Sequence, residues 1–109
     1  MNLTSFLQDK RLTIALRGEI DHHSAKDTMR VIGNKIDLYL PCVCILDFKD
    51  VTFMDSSGIA IVISAVRRMR ELSGKVILRS IPEQPMKVLK ASGIERIAEL
   101  EEGSPAYEM

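Results

Sequence analysis

Residues 58–66, GIAIVISAV, decide the fold class, because their β-branched side chains favour a strand whereas the spacing of their apolar side chains favours a helix. From residue 59 to residue 72 the apolar residues recur at helical spacing and form one stripe. Arginines are concentrated near the C-terminal end of this segment, where cations interact favourably with the helix dipole. We therefore predict a helix with Gly74 as its C-terminal cap. The residues of the predicted stripe are Ile59, Val62, Ile63, Val66, Met69 and Leu72.

Two apolar segments flank this helix and are predicted to be buried strands. Residues 42–48, CVCILDF, and residues 75–80, KVILRS, are runs typical of parallel strands covered on both faces. Together with the helix they form a βαβ unit with a right-handed crossover. Upstream, residues 3–7 and 11–17 predict an antiparallel hairpin, with Gly18 at the end of its second strand.

Another helix is predicted to begin at Ser24. Ser24 and Asp27 form a capping-box-like start, apolar residues recur at helical spacing, and Pro41 stops the helix. The predicted inward stripe is Ala25, Met29, Ile32, Ile36 and Tyr39 or Leu40.

A short third helix over residues 82–92, ended by Gly93, and a strand within residues 94–100 complete the predicted order. The sequence thus predicts an α/β protein: a mixed sheet of four to five strands, with an N-terminal hairpin and helices packed against the sheet. We expect one domain over residues 1–109, with a core over about residues 3–100 and a frayed tail over residues 101–109.

Charge and the N-terminal sequence limit the classes of partner. Fifteen basic and fifteen acidic side chains balance, so no overall field attracts nucleic acid or an anionic membrane. The N-terminus resembles neither a secretory signal nor a membrane-spanning segment. We expect a soluble cytoplasmic protein that does not bind nucleic acid or membrane directly.

The cysteines indicate neither a disulfide nor a metal site. Within a strand, Cys42 and Cys44 would have Cβ atoms roughly 6–7 Å apart, whereas a disulfide needs about 3.8 Å. A metal site would need further ligands, and the only histidines, His22 and His23, lie in another segment. We expect two buried, reduced thiols, and neither a metal nor a cofactor.

Asp55, Ser56, Ser57 and Gly58 lie between the predicted strand and helix, at the edge of the sheet where α/β proteins present functional groups. A phosphate on Ser56 would meet the partial positive charge of the helix N-terminus, so the domain would stay folded. A charge of about −1.5 to −2 beside Asp55 would nevertheless repel a docked partner. The alternative is that Asp55, Ser56 and Ser57 only cap the helix.

Catalytic motifs are absent from the sequence. Neither serine belongs to a G-x-S-x-G elbow, no histidine other than His22 and His23 is available as a base, and no Walker-type loop occurs. We therefore predict a binding switch and not an enzyme, with a small serine hydrolase as the least favoured alternative.

Three segments carry a family resemblance: GEIDHHSA at residues 18–25, FMDSSGIA at residues 53–60 and GKVILRSIPEQPMKVLKASGI at residues 74–94. Together they resemble the STAS domain of bacterial anti-sigma factor antagonists, the sporulation type in particular. The resemblance covers about residues 3–100.

The resemblance implies a partner-switching phosphoprotein that regulates transcription. The unmodified form would bind a cognate anti-sigma factor, a serine kinase, and so release the sigma factor. Phosphorylation at Ser56 would abolish binding, and a serine phosphatase would restore it. The free protein is expected to be a monomer.

The resemblance also implies that Asp21, His22 and His23 help to form the contact surface. The alternatives are that Asp21 only ends a strand or caps a helix, and that the histidines are merely exposed. For Gly58, close approach of a partner and a simple turn glycine both remain open.

Two departures from the family pattern stand out. Ala60 replaces a glycine that many relatives have, which is expected to alter the first helical turn. The sequence also ends soon after Leu100, where relatives commonly carry another helix. The alternative function is that of a STAS interaction module in another signalling or transport complex.

Overall fold

The computed structural model describes residues 3–101, within which strands and helices alternate. The first two strands form the predicted hairpin, and a helix precedes each later strand. The elements are β1 (Thr4–Gln8), β2 (Arg11–Ile20), α1 (His22–Tyr39), β3 (Val43–Met54), α2 (Ser57–Glu71), β4 (Lys75–Arg79), α3 (Glu83–Ser92), a 3-10 turn (Ile94–Arg96) and β5 (Glu99–Leu100).

The strands of this described region form one sheet in the order β1-β2-β3-β4-β5. β1 runs antiparallel to β2, and the remaining neighbours are parallel. Residues of all three helices join one core cluster with the sheet, as the general rule of right-handed crossovers between successive parallel strands requires, because it places the connecting helices on one face. The predicted fold class, a mixed sheet with an N-terminal hairpin and helices packed against it, is confirmed.

The core lies between the helices and the covered face of the sheet. Alternate residues of the central strands supply the sheet side of this core, because successive side chains of a strand point to opposite faces. Burial of each valine, leucine, isoleucine or phenylalanine side chain among them contributes about 1.5–3 kcal/mol relative to exposure. These residues are Leu12, Ile14, Leu16, Cys44, Leu46, Phe48, Val76 and Leu78.

The helix predicted from residues 58–66 is confirmed, but its buried face is turned relative to the predicted stripe. Ile61 and Ala65 are buried, whereas Ile59 and Ile63 are only half-buried. Apolar residues cover most of the circumference of the first two turns, so periodicity does not select the inward face. Packing against α1 and the sheet selects it. The buried residues are Gly58, Ile61, Val62, Ala65, Val66 and Met69.

Both central strands are longer than the sequence predicts. β2 continues through Gly18 to Ile20, and β3 continues past Phe48 to Met54. Gly18 has a φ of 80°, which favours glycine, and it lies where the pairing of β2 with β3 shifts register. The prediction that Gly18 ends the strand is therefore wrong, because the glycine accommodates an irregularity inside it.

Helix α1 begins earlier than predicted, because Asp21 and not Ser24 is its N-cap. The Asp21 carboxylate accepts hydrogen bonds from the backbone amides of His23 and Ser24, each at 3.0 Å. The Ser24 hydroxyl accepts one from the Asp21 amide at 3.2 Å, which completes a capping box. The predicted box of Ser24 and Asp27 is wrong, and Asp27 instead pairs with Arg30.

The C-terminal end of α1 lies at the surface. Leu40 is a left-handed C-cap with a φ of 46°, and both Tyr39 and Leu40 are exposed, so neither extends the core stripe. The rest of the predicted stripe faces inward, with Met29 half-buried and the following residues buried: Ala25, Ile32 and Ile36.

The C-cap of α2 differs from the prediction. Leu72 is the C-cap, and Ser73 adopts the left-handed conformation with a φ of 57°. The amide of Gly74 donates to the Met69 carbonyl at 2.8 Å. A Cβ on Gly74 would lie 2.5 Å from the carbonyl oxygen of Cys42, so the glycine permits a close approach of two backbone segments.

The two cysteines are free thiols in different environments. Cys44 is buried as predicted, and burial raises the pKa of its thiol to about 12. Cys42 precedes β3 and is exposed, so the prediction that it belongs to the core is wrong. Within residues 3–101, no group of three or more histidine, cysteine, aspartate and glutamate side chains is arranged to hold a metal ion.

The chain after β4 follows the predicted order, with Gly93 capping α3 at a φ of 74°. Glu101, predicted to belong to a frayed tail, donates its amide to the Leu78 carbonyl at 2.8 Å and pairs with Arg79 at 2.8 Å. The rest of the predicted tail, residues 102–109, lies outside the described residues. None of the helices in residues 3–101 combines the length and the apolar character needed to span a bilayer.

Candidate protein-interaction site

The carboxyl ends of β2 and β3 bring the predicted site residues to one edge of the sheet. The Asp55 amide donates to the Ile20 carbonyl at 3.1 Å, so the segments beginning at Asp21 and Asp55 are neighbours. Each aspartate follows a parallel strand and precedes a helix N-terminus. The structure therefore brings together the two predicted halves of the contact surface.

Asp55 shapes the turn into α2. Its carboxylate accepts a hydrogen bond from the Ser57 amide at 2.7 Å, and its carbonyl accepts one from the Gly58 amide at 3.0 Å. A carboxylate in this position satisfies an amide that lacks a partner within the helix and suits the helix dipole. The capping interpretation therefore holds for Asp55.

Ser56 is exposed, and its side chain takes no part in capping. Its backbone is helical, with φ of −64° and ψ of −14°, and its side chain makes no capping hydrogen bond. Ser56 is exposed at the helix N-terminus, where the Asp55 carboxylate and not the Ser56 hydroxyl accepts from the Ser57 amide. Capping alone therefore does not account for Ser56. Ser57 is half-buried.

Gly58 is explained by internal packing. It is buried, and a Cβ on it would lie 2.3 Å from the sulfur and 2.4 Å from Cγ of Met54. The Met54 side chain is itself fully buried. Gly58 lies in the first turn of α2 and supports the site from behind, which favours the interpretation as a turn glycine over close approach of a partner.

Asp21, His22 and His23 form the other half of the edge. Both histidines are exposed in the first turn of α1, with ring centroids 5.8 Å apart in an edge-to-face arrangement. The hydrogen bond from the Ser24 amide, with a smaller contribution from the His23 amide, lowers the pKa of the Asp21 carboxyl below its ordinary value of 3.8. Asp21 is a helix cap, as one interpretation held, and it is half-buried beside two exposed imidazoles.

Ala60 lies one turn after Ser56 and is exposed. It lines a groove of about 740 Å³ whose other residues come from α1 and α2. Its methyl group therefore affects the surface of α2 and not the core.

Sequence reasoning missed Gln84, the second residue of α3. Its side-chain amide accepts from the Met54 amide and donates to the Met54 carbonyl, both at 2.8 Å. Met54 lies two residues before Ser56, so this contact reaches the site from another helix. No local pattern distinguishes Gln84 from other polar residues, because its partner is 30 residues away in the chain.

Comparison with known proteins identifies the class. The STAS domain model matches residues 6–104, so the chain belongs to the STAS domain family. The anti-sigma F factor antagonist of Lysinibacillus sphaericus is 30% identical over 83 residues, which cover 76% of this chain and 71% of the relative.

Two solved structures of SpoIIAA also match the fold of this chain. The unphosphorylated form of the anti-sigma factor antagonist SpoIIAA matches with a TM-score of 0.78 and 25% identity, covering 98% of this chain and 94% of SpoIIAA. The phosphorylated form of the Bacillus cell fate determinant SpoIIAA matches with a TM-score of 0.68 and 27% identity, covering 98% and 97% of the two chains. The predicted resemblance to anti-sigma factor antagonists is confirmed.

Proposed function

We propose that this chain is an anti-sigma factor antagonist of the sporulation type, regulated by phosphorylation of Ser56. In this proposal the unmodified form binds a cognate anti-sigma factor, which is a serine kinase, and thereby frees a sigma factor. A serine phosphatase reverses the modification. The observation that carries the proposal is the exposed Ser56 hydroxyl at the start of α2, beside an aspartate that already supplies the cap.

The environment of Ser56 supports a modification that leaves the fold intact. The hydroxyl is outside the core, and the N-terminus of α2 carries partial positive charge that offsets part of the added negative charge. The phosphorylated and unphosphorylated forms of SpoIIAA both match the fold of this chain, with TM-scores of 0.68 and 0.78. We expect phosphorylation to change binding and not folding.

The same modification would change the surface strongly. A phosphate adds about −1.5 to −2 charge next to Asp55 and across the strand pair from Asp21. Covering this charge beside Asp55 with a docked partner costs several kcal/mol through desolvation and like-charge repulsion, and each 1.4 kcal/mol weakens binding by about tenfold. We expect the phosphorylated form to bind its partner at least about a hundredfold more weakly.

The proposed contact surface consists of the exposed and half-buried residues of the edge: Asp21, His22, His23, Asp55, Ser56 and Ser57. Gly58 holds this surface in shape through its packing on Met54. We propose that the protein acts in the cytoplasm as a binding switch and not as an enzyme, and that its partner is a protein, not nucleic acid or membrane. We also propose that the free chain is a monomeric single domain and binds no cofactor.

The proposal is tested by incubating the protein with its cognate anti-sigma factor and ATP, followed by mass mapping. One phosphate should appear, on Ser56. Ser56→Ala should abolish the modification, whereas the matched control Ser57→Ala should retain it. Phosphate on Ser57, or undiminished labelling of Ser56→Ala, would contradict the assignment.

Binding is tested separately with Ser56→Asp, measured by calorimetry against the same partner without ATP. A single negative charge should weaken binding by at least about tenfold, because it reproduces part of the repulsion of a phosphate. The variant should keep the far-UV circular dichroism spectrum of the wild type. Unchanged affinity would refute the electrostatic part of the proposal.

A further inference from the structure

The strand that leads to Ser56 is longer than its neighbour. The pairing of β3 with β4 ends at Asp47 and Arg79, whereas β3 continues to Met54. At that end the side chain of Gln84 takes the position of a neighbouring strand. Its Oε1 accepts from the Met54 amide and its Nε2 donates to the Met54 carbonyl, both at 2.8 Å.

Two adjacent residues of this segment are held from opposite sides. The amide and carbonyl of Met54 bind Gln84 on α3, while the amide of Asp55 binds the Ile20 carbonyl on β2. In a strand that is paired on both edges, the backbone groups of one residue bond to the neighbour on one side, and those of the next residue bond to the neighbour on the other side. The hydrogen bonds of Met54 and Asp55 follow this pattern. Gln84 thus completes the sheet where β4 is absent.

Met54 precedes Ser56 in the chain and also contacts Gly58, which follows Ser56. The Met54 side chain is fully buried and packs so closely on Gly58 that a Cβ there would lie 2.3 Å from its sulfur. Residues 54 and 58 are therefore in contact, and Ser56 lies at the top of the turn between them. A displacement of Met54 would move both ends of this turn.

We propose that Gln84 is a positioning residue that holds the turn over residues 54–58 and so presents the Ser56 hydroxyl in a fixed place. The primary amide of Gln84 supplies both the acceptor and the donor that the Met54 backbone requires, whereas an ionised glutamate has no donor and a methionine has no donor and only a weak acceptor. The effect on phosphorylation rests on the proposed function, whereas the effect on the turn does not.

The turn is tested by amide hydrogen exchange measured by NMR. Gln84→Met removes both hydrogen bonds at similar volume, and Glu83→Gln is the matched control, since the Glu83 side chain is 86% exposed. Exchange at the Met54 amide should rise by about tenfold in Gln84→Met relative to the core amide of Ile77, and should not change in Glu83→Gln.

Gln84→Glu separates the two hydrogen bonds. It keeps an acceptor for the Met54 amide and loses the donor to the carbonyl, so its exchange should lie between those of the wild type and Gln84→Met. Equal protection of the Met54 amide in the wild type and Gln84→Met would overturn the proposal, as would an increase no larger than that at Ile77.

Phosphorylation provides the second readout. With the cognate anti-sigma factor and ATP, Gln84→Met should raise the KM for the protein substrate by about fivefold with little change in kcat, because a loosened turn must be ordered on docking. An unchanged KM in a variant with accelerated exchange would overturn the positioning role at Ser56. If instead the wild type accepted no phosphate on Ser56, the proposed function would fail, and accelerated exchange would still support the role of Gln84 in the turn.

Discussion

Replacing Gly58 by alanine tests whether this glycine is required by the packing of Met54. The added Cβ would lie 2.3 Å from Sδ, 2.4 Å from Cγ and 3.0 Å from Cε of Met54. Favourable contacts of this kind are about 3.5–4.0 Å long. Met54 has no exposed surface, so its side chain has no solvent-filled space into which to move.

The expected cost follows from two opposing effects. Overpacking a core costs about 1–3 kcal/mol, and three close contacts put Gly58→Ala at the upper end of this range. Alanine recovers at most about 1 kcal/mol of helix propensity. The net destabilisation should be about 2 kcal/mol, which would lower the Tm of a domain of this size by roughly 10 °C.

Urea denaturation followed by circular dichroism measures this free energy of unfolding. The control is Ser56→Ala, two residues earlier, which removes an exposed hydroxyl without a capping bond and should cost less than about 0.5 kcal/mol. Shortening the colliding side chain in Met54→Ala should make the double variant less destabilised than the sum of the single variants, by at least about 1 kcal/mol. A Gly58→Ala protein as stable as the wild type, or strictly additive effects, would refute this explanation of the glycine.

Other features of the structure give three further predictions. Gly74→Ala should destabilise more than Gly58→Ala in the same urea assay, because its Cβ would meet a backbone carbonyl at 2.5 Å; equal costs would contradict this. Because hydrogen bonds lower the pKa of Asp21 in the folded state, its stabilising effect is complete above the ordinary value of 3.8 and is lost as the pH falls through the lowered pKa. Asparagine also caps a helix but does not titrate, so in Asp21→Asn the free energy of unfolding should fall less steeply with decreasing pH below about 3.8 than in the wild type. An unchanged dependence on acidic pH would count against this. Iodoacetamide should label Cys42 alone in the native protein and Cys44 only after denaturation, as intact mass will show; native labelling of Cys44 would disprove its burial.

Short-range patterns in the sequence were sufficient to predict the order of strands and helices and the location of Ser56 between a strand and a helix. The spacing of apolar residues reports the type of each element, because neighbours along a helix face or a strand face share one environment. The junction at residues 55–58 follows from that order alone, since a strand that ends before a crossover helix delivers the intervening turn to the carboxyl edge of the sheet.

Contacts between distant segments determined the features that short-range patterns did not predict: the cap of α1, the reason for Gly58, the contact of Gln84 and the inward face of α2. Asp21 caps α1 because β2 pairs with β3 as far as Ile20, and Gly58 is small because Met54 fills the space beside it. Gln84 reaches Met54 across 30 residues of chain. The inward face of α2 was likewise chosen by its neighbours, because a helix with apolar residues around most of its circumference is oriented by the shape of the surfaces it packs against and not by its own periodicity.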